Sequence, residues 1–571
     1  MKNKKNIAWL LCSALLFSTP IFATNYYTSP DGTGDGLSPT TPCAIGSSWA
    51  KLTAPGDTLF LRGGVYYLND KQTINKTGTE IARICIWAYP NETPILDFSN
   101  QPYGKEVTGY DNVGISLHQS SSYMHIKGIT IRYAGDNGLI NNGNNHIIEN
   151  CVFYGNCDTG LQHKNGGGNL IKNCDSYNNF DYKTGLLTAA DFGGNADGFA
   201  DKQFSNANPN TYDGCRAWNN SDDGWDLFQR VGNVIIKNCI CYQNGPATYN
   251  LTNHPRATTD AAWFANFPMT VTNADAGTDY VTLTSYTNYG NGNGFKLGGD
   301  YTDCDVTVTN CLSVANTVRG YDQNNNYGTM TLYNNTAYRN GRDYGFGNSG
   351  GGILIIKNCV SLASLSANQL STQTVTNVNN SWNTSGVTCD AADFESIDTT
   401  LILTPRQADG SLAVTTFMHL VDGSDLIDAG TAVSLPFSGS AIDLGCYEKG
   451  VIDQFPGTVT TPGNKTQTIT EGGSIENIVF TWGDGATGLE VTGLPAGINS
   501  SIDNEAKTLT LSGTPTESGV FNYTVSTVGG TTIPATVTGK IVISSATGKK
   551  IAYVTTPDAA ADVLILDKLY A

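Results

Sequence analysis

The stretch Ser221–Phe228, SDDGWDLF, puts Asp222, Asp223 and Asp226 within five residues of a chain in which 14% of residues are charged. Carboxylates this close repel one another and do not all stay ionised without a counter-charge. A recurrent Gly followed by an apolar or aromatic residue gives an alignment: DNGL at Gly138, DTGL at Gly160, ADGF at Gly198, DDGW at Gly224, GNGF at Gly294, VRGY at Gly320 and DYGF at Gly345. In it Asp197 and Asp223 share a column, Asp222 lies beside them, and Asp226 shares a column with Lys296 and Asp322. Oxygen donors without His or Cys select a hard cation, and Ca²⁺ tolerates the irregular geometry such a cluster offers. Asp-Gly is also ordinary turn chemistry; two in one column, with two further aspartates, favour the metal. Lys296 reads either as a surface lysine paired with Asp226 or Asp322, or as a base whose ammonium form nearby Ca²⁺ disfavours. Together, metal and base describe loss of the C5 proton α to a uronate carboxylate, then β-elimination at O4.

Such a column needs a scaffold that repeats. The runs IIENC, LIKNC, TYDGC, IIKNC, TVTNC and LIIKNC end at Cys151, Cys174, Cys215, Cys239, Cys311 and Cys359, and TLYNN ends at Asn335 in the same slot. The steps between them are 23, 41, 24, 72, 24 and 24 residues, a repeat of about 24 with two insertions. Short β-branched runs punctuated by Gly and Asn, with no helical period between them, predict coils of a right-handed parallel β-helix. Coils stack about 4.8 Å apart, so Asn150, Asn173, Asn238, Asn310, Asn334 and Asn358 are expected to form a turn ladder whose amides satisfy backbone groups. The cysteines after them are expected to point inward as small buried side chains, in preference to pairing as disulfides.

The chain has 571 residues and a net charge of −18, with no basic stripe, which argues against nucleic acid. Lys2, Lys4 and Lys5 precede an apolar run ending near Ala23, so residues 1–23 read as a secretory signal. No later segment has the length of a membrane span. The expected domains are a β-helix with its N-terminal cap over 24–450, a linker over 451–463, an Ig-like β-sandwich over 464–545 and a tail over 546–571. A secreted, periplasmic or cell-surface monomer is expected.

The blocks NADGFADK (Asn195–Lys202), WNNSDDGWDLF (Trp218–Phe228) and NGNGFKLGG (Asn291–Gly299) resemble the signature blocks of polysaccharide lyase family nine. The resemblance runs from about Asn25 to Lys449. It implies a calcium-dependent lyase acting on an acidic plant cell-wall polysaccharide, with pectate preferred over rhamnogalacturonan. It implies calcium ligands at Asp197, Asp222, Asp223 and Asp226, a calcium-binding carbonyl at Gly224, and the catalytic base at Lys296. Lys202 and Arg319 are further candidates for binding substrate carboxylates. The segment Pro246–Gly290 departs from the pattern and weakens any transfer of substrate preference. A non-catalytic glycan-binding β-helix is the alternative of another class, and it gives no reason for the aligned lysine. A polygalacturonase-type hydrolase is disfavoured, because its NTD, GHG and RIK blocks are missing.

Overall fold

The computed structural model describes residues 23–101, 112–180, 193–202, 208–246, 248–250, 285–287, 290–449, 458–460, 462–483, 486–528 and 535–544. The signal segment before Ala23, most of 246–290 and the tail lie outside the described residues. Three long parallel sheets form a right-handed β-helix. One has twelve strands, from Asn25–Thr28 to Thr374–Val378, and two have ten, from Gln72–Ile74 to Gln369–Leu370 and from Gly64–Tyr67 to Val360–Leu362. Register follows the repeat: Ile147 pairs with Leu170 and Val306 with Met330, one coil on in each case. The chain divides into two compact units, one of residues 1–212, 217–234 and 244–292, the other of 213–216, 235–243 and 293–571.

The turn slot before each cysteine forms part of the expected amide ladder, Asn358 Nδ2 donating to Asn334 at 3.1 Å and both amides to backbone carbonyls, and it also fixes the backbone. Asn150, Asn173, Asn238, Asn310, Asn334 and Asn358 all have φ between +52° and +58°, and Gly214 fills the same slot at +65°. Asn and Gly are the residues that enter this left-handed region most readily, so the slot selects backbone conformation first. The continuous amide ladder lies elsewhere and is buried. Asn156 Nδ2 donates to Asn179 at 2.9 Å, Asn179 to Asn220 at 3.0 Å and Asn220 to Asn244 at 2.9 Å. In the second unit Asn316 donates to Asn340 at 3.0 Å, and Asn340 to the Asp343 carboxylate at 2.9 Å.

The six cysteines of the repeat are buried free thiols, as their position after the turn demands. Inward aromatics stack from coil to coil: Phe295 on Tyr321 at 5.0 Å, and Tyr321 on Tyr344 at 5.1 Å. The 3-10 turns Ala391–Asp393 and Thr399–Leu403 belong to a segment whose Phe417, Leu426 and Leu444 pack with Leu312 and Val360 of the coils.

Beyond the helix, two four-stranded sheets enclose a separate core that includes Phe480, Trp482, Leu509 and Tyr523. One sheet is antiparallel throughout; the other contains a parallel pair, Thr466–Thr470 with Thr536–Ser544. Thr458–Val459, inside the segment read as a linker, already pairs with Gly483 and Trp482. Among the described residues no helix is long and apolar enough to cross a membrane.

Candidate active site

The ten-stranded sheet that begins at Gln72–Ile74 carries the candidate residues on the strands Phe199–Asp201, Trp225–Asp226, Phe295–Lys296 and Arg319–Asp322. Its recurrent glycine has a steric cause. A Cβ at Gly198 would meet the Gly224 carbonyl oxygen at 2.8 Å, and one at Gly294 the Gly320 oxygen at 2.7 Å. Any larger residue there would push adjacent coils apart.

In the first unit Asp197, Asp223 and Asp226 are fully buried, and each offers an oxygen within 4.8 Å of the others. Asp226 stands opposite Ala200, a side chain too small to crowd it, and its Oδ1 accepts the Phe228 N–H at 2.9 Å. Asp197 Oδ1 accepts the Asp223 N–H at 3.2 Å, while its Oδ2 accepts from the Thr159 hydroxyl at 3.1 Å. Lys202 Nζ reaches Asp197 at 3.0 Å and Asp226 at 2.8 Å. Three carboxylates this close repel one another and favour cationic charge between them, part of which Lys202 supplies. Oxygens on one Ca²⁺ at about 2.3–2.6 Å stand at most about 5 Å apart, and the three carboxylates fit that limit.

Two expected ligands stand differently. Asp222, although adjacent in sequence, is not in the group of three; its Oδ1 accepts the Asn291 N–H. The Gly224 carbonyl accepts the Phe199 N–H at 2.9 Å, which leaves it one lone pair for a cation. Lys202, read as a candidate substrate contact, stands among these carboxylates. Trp225 is fully buried, 4.8 Å from Phe199, so it is packing and offers no face to a sugar.

Beneath this face lies a charged layer that no motif announced. Asp201, opposite His163 in register, forms an ion pair with Arg230 Nε at 3.1 Å, and its other oxygen accepts from Asn210 at 2.9 Å. Arg230 is wholly buried and also donates to the Val231 and Asn233 carbonyls. Burial pushes the Asp201 carboxyl up to about 6 against the opposing pull of Arg230. Burial holds His163 and His146 down at about 3. His146 is fixed as neutral by its partners, its Nδ1 accepting the Met124 N–H at 3.0 Å.

The two histidines give a pH prediction. Between about pH 6.5 and 3 the unfolded chain binds protons that the folded imidazoles refuse, so stability falls as pH drops through that window. We expect each to contribute a loss of roughly 1 kcal/mol per pH unit there. The His146→Gln/His163→Gln double variant should lose less stability than wild type on moving from pH 7 to 4.5, measured by denaturant titration.

In the second unit Lys296 is buried and stands opposite Asp322 in register. Asp322 is engaged by Arg319 Nη1 at 2.7 Å and by the Asn324 N–H at 3.2 Å. Burial raises the Asp322 carboxyl, with Arg319 and then Lys296 pulling the other way. Arg319 and Lys296 thus both act on the Asp322 carboxylate.

A parallel β-helix whose sheet presents buried carboxylates and a buried lysine in one alignment column defines the class. A family described as "Pel9A-like, right handed beta helix region" matches residues 26–368. A pectate lyase L of Dickeya chrysanthemi is 34% identical over 469 residues, covering 78% of this chain and 96% of its own. A pectate lyase L of Paenibacillus polymyxa (strain SC2) is 32% identical, covering 72% and 85%. Among solved structures, pectate lyase Pel9A superposes with a TM-score of 0.61 at 32% identity, over 76% of this chain and 98% of its own. A rhamnogalacturonan lyase shares the fold with a TM-score of 0.55 at 23% identity, over 70% and 97%. The chain belongs to the Pel9A-like family of β-helix polysaccharide lyases.

Proposed function

We propose that the protein is a secreted, calcium-dependent pectate lyase that cleaves polygalacturonate by β-elimination. The observation that carries this is the buried group Asp197, Asp223 and Asp226, in a chain whose relatives at 32–34% identity are pectate lyases. These three side chains would hold Ca²⁺, with the Gly224 carbonyl able to add its remaining lone pair and Asp222 acting through the Asn291 loop. Bound there, Ca²⁺ would draw charge from a uronate carboxylate and so acidify the proton on the neighbouring carbon.

Lys296, as the neutral amine, accepts the C5 proton. The electron pair of the broken C5–H bond forms the C4=C5 double bond. The C4–O4 bond breaks, its pair leaves on O4, and O4 takes a proton to become the hydroxyl of the departing chain. The products are a 4,5-unsaturated uronate and a new reducing end.

We assign residues 1–23 to a cleaved signal and 24–450 to the lyase β-helix. The two-sheet module after it is read as an Ig-like accessory domain, which tethers or presents the enzyme without entering its chemistry. The test uses the mature chain with polygalacturonate, following the ultraviolet absorbance of the unsaturated product. We expect chelation to lower the rate by at least about 100-fold and added Ca²⁺ to restore it. New reducing ends without that absorbance would replace the lyase reading with a hydrolase.

A further inference from the structure

Beside Lys296, on the coils that follow it, lies a polar trough of about 500 Å³. That is within the ~300–1,000 Å³ usual for small-molecule sites. Its wall includes Tyr301, Arg319, Asn324, Asn348 and Gln369. Its floor is glycine: a Cβ at Gly345 would collide with the Arg319 side chain, and one at Gly347 with the Gln369 amide. Those two side chains therefore lie flat across the sheet. Gln369 is held there by Arg342 at 2.7 Å, and Arg342 is the register partner of Arg319. Asp322 also lines the trough and pairs with Arg319, but with Arg342 one coil on the guanidinium groups outnumber it and leave a local positive balance that suits an anion.

Three further features suit a sugar acid. Arg319 gives one N–H to Asp322, and its side chain remains 37% exposed, so a planar fork is anchored on one edge and open on the other. The rim is pre-ordered, because Asn324 Nδ2 donates to the Gly298 carbonyl at 2.9 Å and Asn348 Nδ2 to Asn325 at 2.9 Å. Tyr301 is 59% exposed, stands edge-on to Tyr327 at 5.4 Å, and has φ +61° directly after Asp300 at +54°. A bulky residue in the left-handed region is strained, and such strain clusters at ligand-binding positions. Here it holds an aromatic ring out over a trough that a hydrophobic core would otherwise have claimed.

We propose that this trough is a uronate subsite for a unit of the bound polymer next along from the reacting one. Arg319 pairs with that unit's carboxylate and Tyr301 covers its apolar sugar face. The inference rests on the pectate lyase reading, and binding can be measured apart from turnover. In a Lys296→Ala background, which removes cleavage, a galacturonate hexamer is titrated calorimetrically into the parent, Arg319→Gln and Tyr301→Gly proteins. We expect Kd to rise roughly tenfold in each variant, and Arg319→Lys to recover only part of the loss because it lacks the fork.

Tyr301→Gly separates binding from structure. Glycine relieves the left-handed strain, so its melting temperature should equal or exceed that of the parent while binding weakens. An unchanged Kd in both Arg319→Gln and Tyr301→Gly would overturn the subsite. So would a fall in melting temperature for Tyr301→Gly that matched its loss of binding. A wild-type chain without lyase activity, but with hexamer binding weakened by both variants, would overturn the reaction and leave the subsite standing.

Discussion

Lys296→Ala is expected to lower the rate of unsaturated-product formation on polygalacturonate by about 10³-fold or more, with the melting temperature close to wild type. A positioned general base is worth roughly 10²–10⁴ in rate, and an amine facing a metal-polarised α-proton has few substitutes. The loss should fall on kcat, because the ammonium or amine of Lys296 makes little of the ground-state contact. Lys296→Arg tests the same point differently. Guanidinium keeps the charge and reach but gives up no proton near neutral pH, so it should be almost as inactive as alanine. If Lys296→Arg retained more than about a tenth of wild-type activity, Lys296 would be a charge and not a base.

The second large effect is on stability. Arg230→Met leaves the Asp201 carboxylate buried without its cation, and breaking such a pair costs about 3–5 kcal/mol. Arg230→Met/Asp201→Leu should recover most of that, because two packed apolar side chains need no counter-charge. The single variant also carries a pH signature. Removing Arg230 raises the folded Asp201 pKa above its already elevated value of about 6. The folded state then holds a proton that the unfolded chain gives up near 4, so the deficit should widen as pH rises from 5 to 8. Thermal or denaturant unfolding at the two pH values measures it. A deficit equal at both would mean that Arg230 acts through packing alone.

Much of the scaffold was legible because a solenoid writes its structure as a repeat. The turn before each cysteine recurs every coil, and the exchange of Gly214 for Asn at one position is what identifies its left-handed backbone. The alignment could not say which asparagines bond to one another. The bonded column Asn156, Asn179, Asn220 and Asn244 sits at a different corner, each member two residues after an aromatic, Tyr154, Tyr177, Trp218 and Tyr242. Asp197, Asp223 and Asp226 stand out in the sequence by their columns and in the structure by their buried mutual approach. Asp222, next to Asp223 in the sequence, takes the Asn291 N–H instead of joining the group of three. Lys202 pairs with Asp197 on its own coil and with Asp226 on the next, a pairing that the alignment columns do not display. The trough at Tyr301 and Arg319 was invisible as a unit, because its walls come from four coils and share no column.

The buried amide column also has a direction. Each asparagine gives its Nδ2 hydrogen to the coil after it, so every rung offers the next coil a donor and asks it for an acceptor. Left open, such a column is a growing end, able to recruit a coil from a second molecule as amyloid-like edges do. In the second unit it stops at Asp343, whose carboxylate takes Asn340 and the Ser361 hydroxyl and has no amide hydrogen to pass on. Burial lifts that carboxyl to about 6. An acceptor with nothing to donate is a full stop, and replacing it with asparagine would restore the grammar of an unfinished fibre.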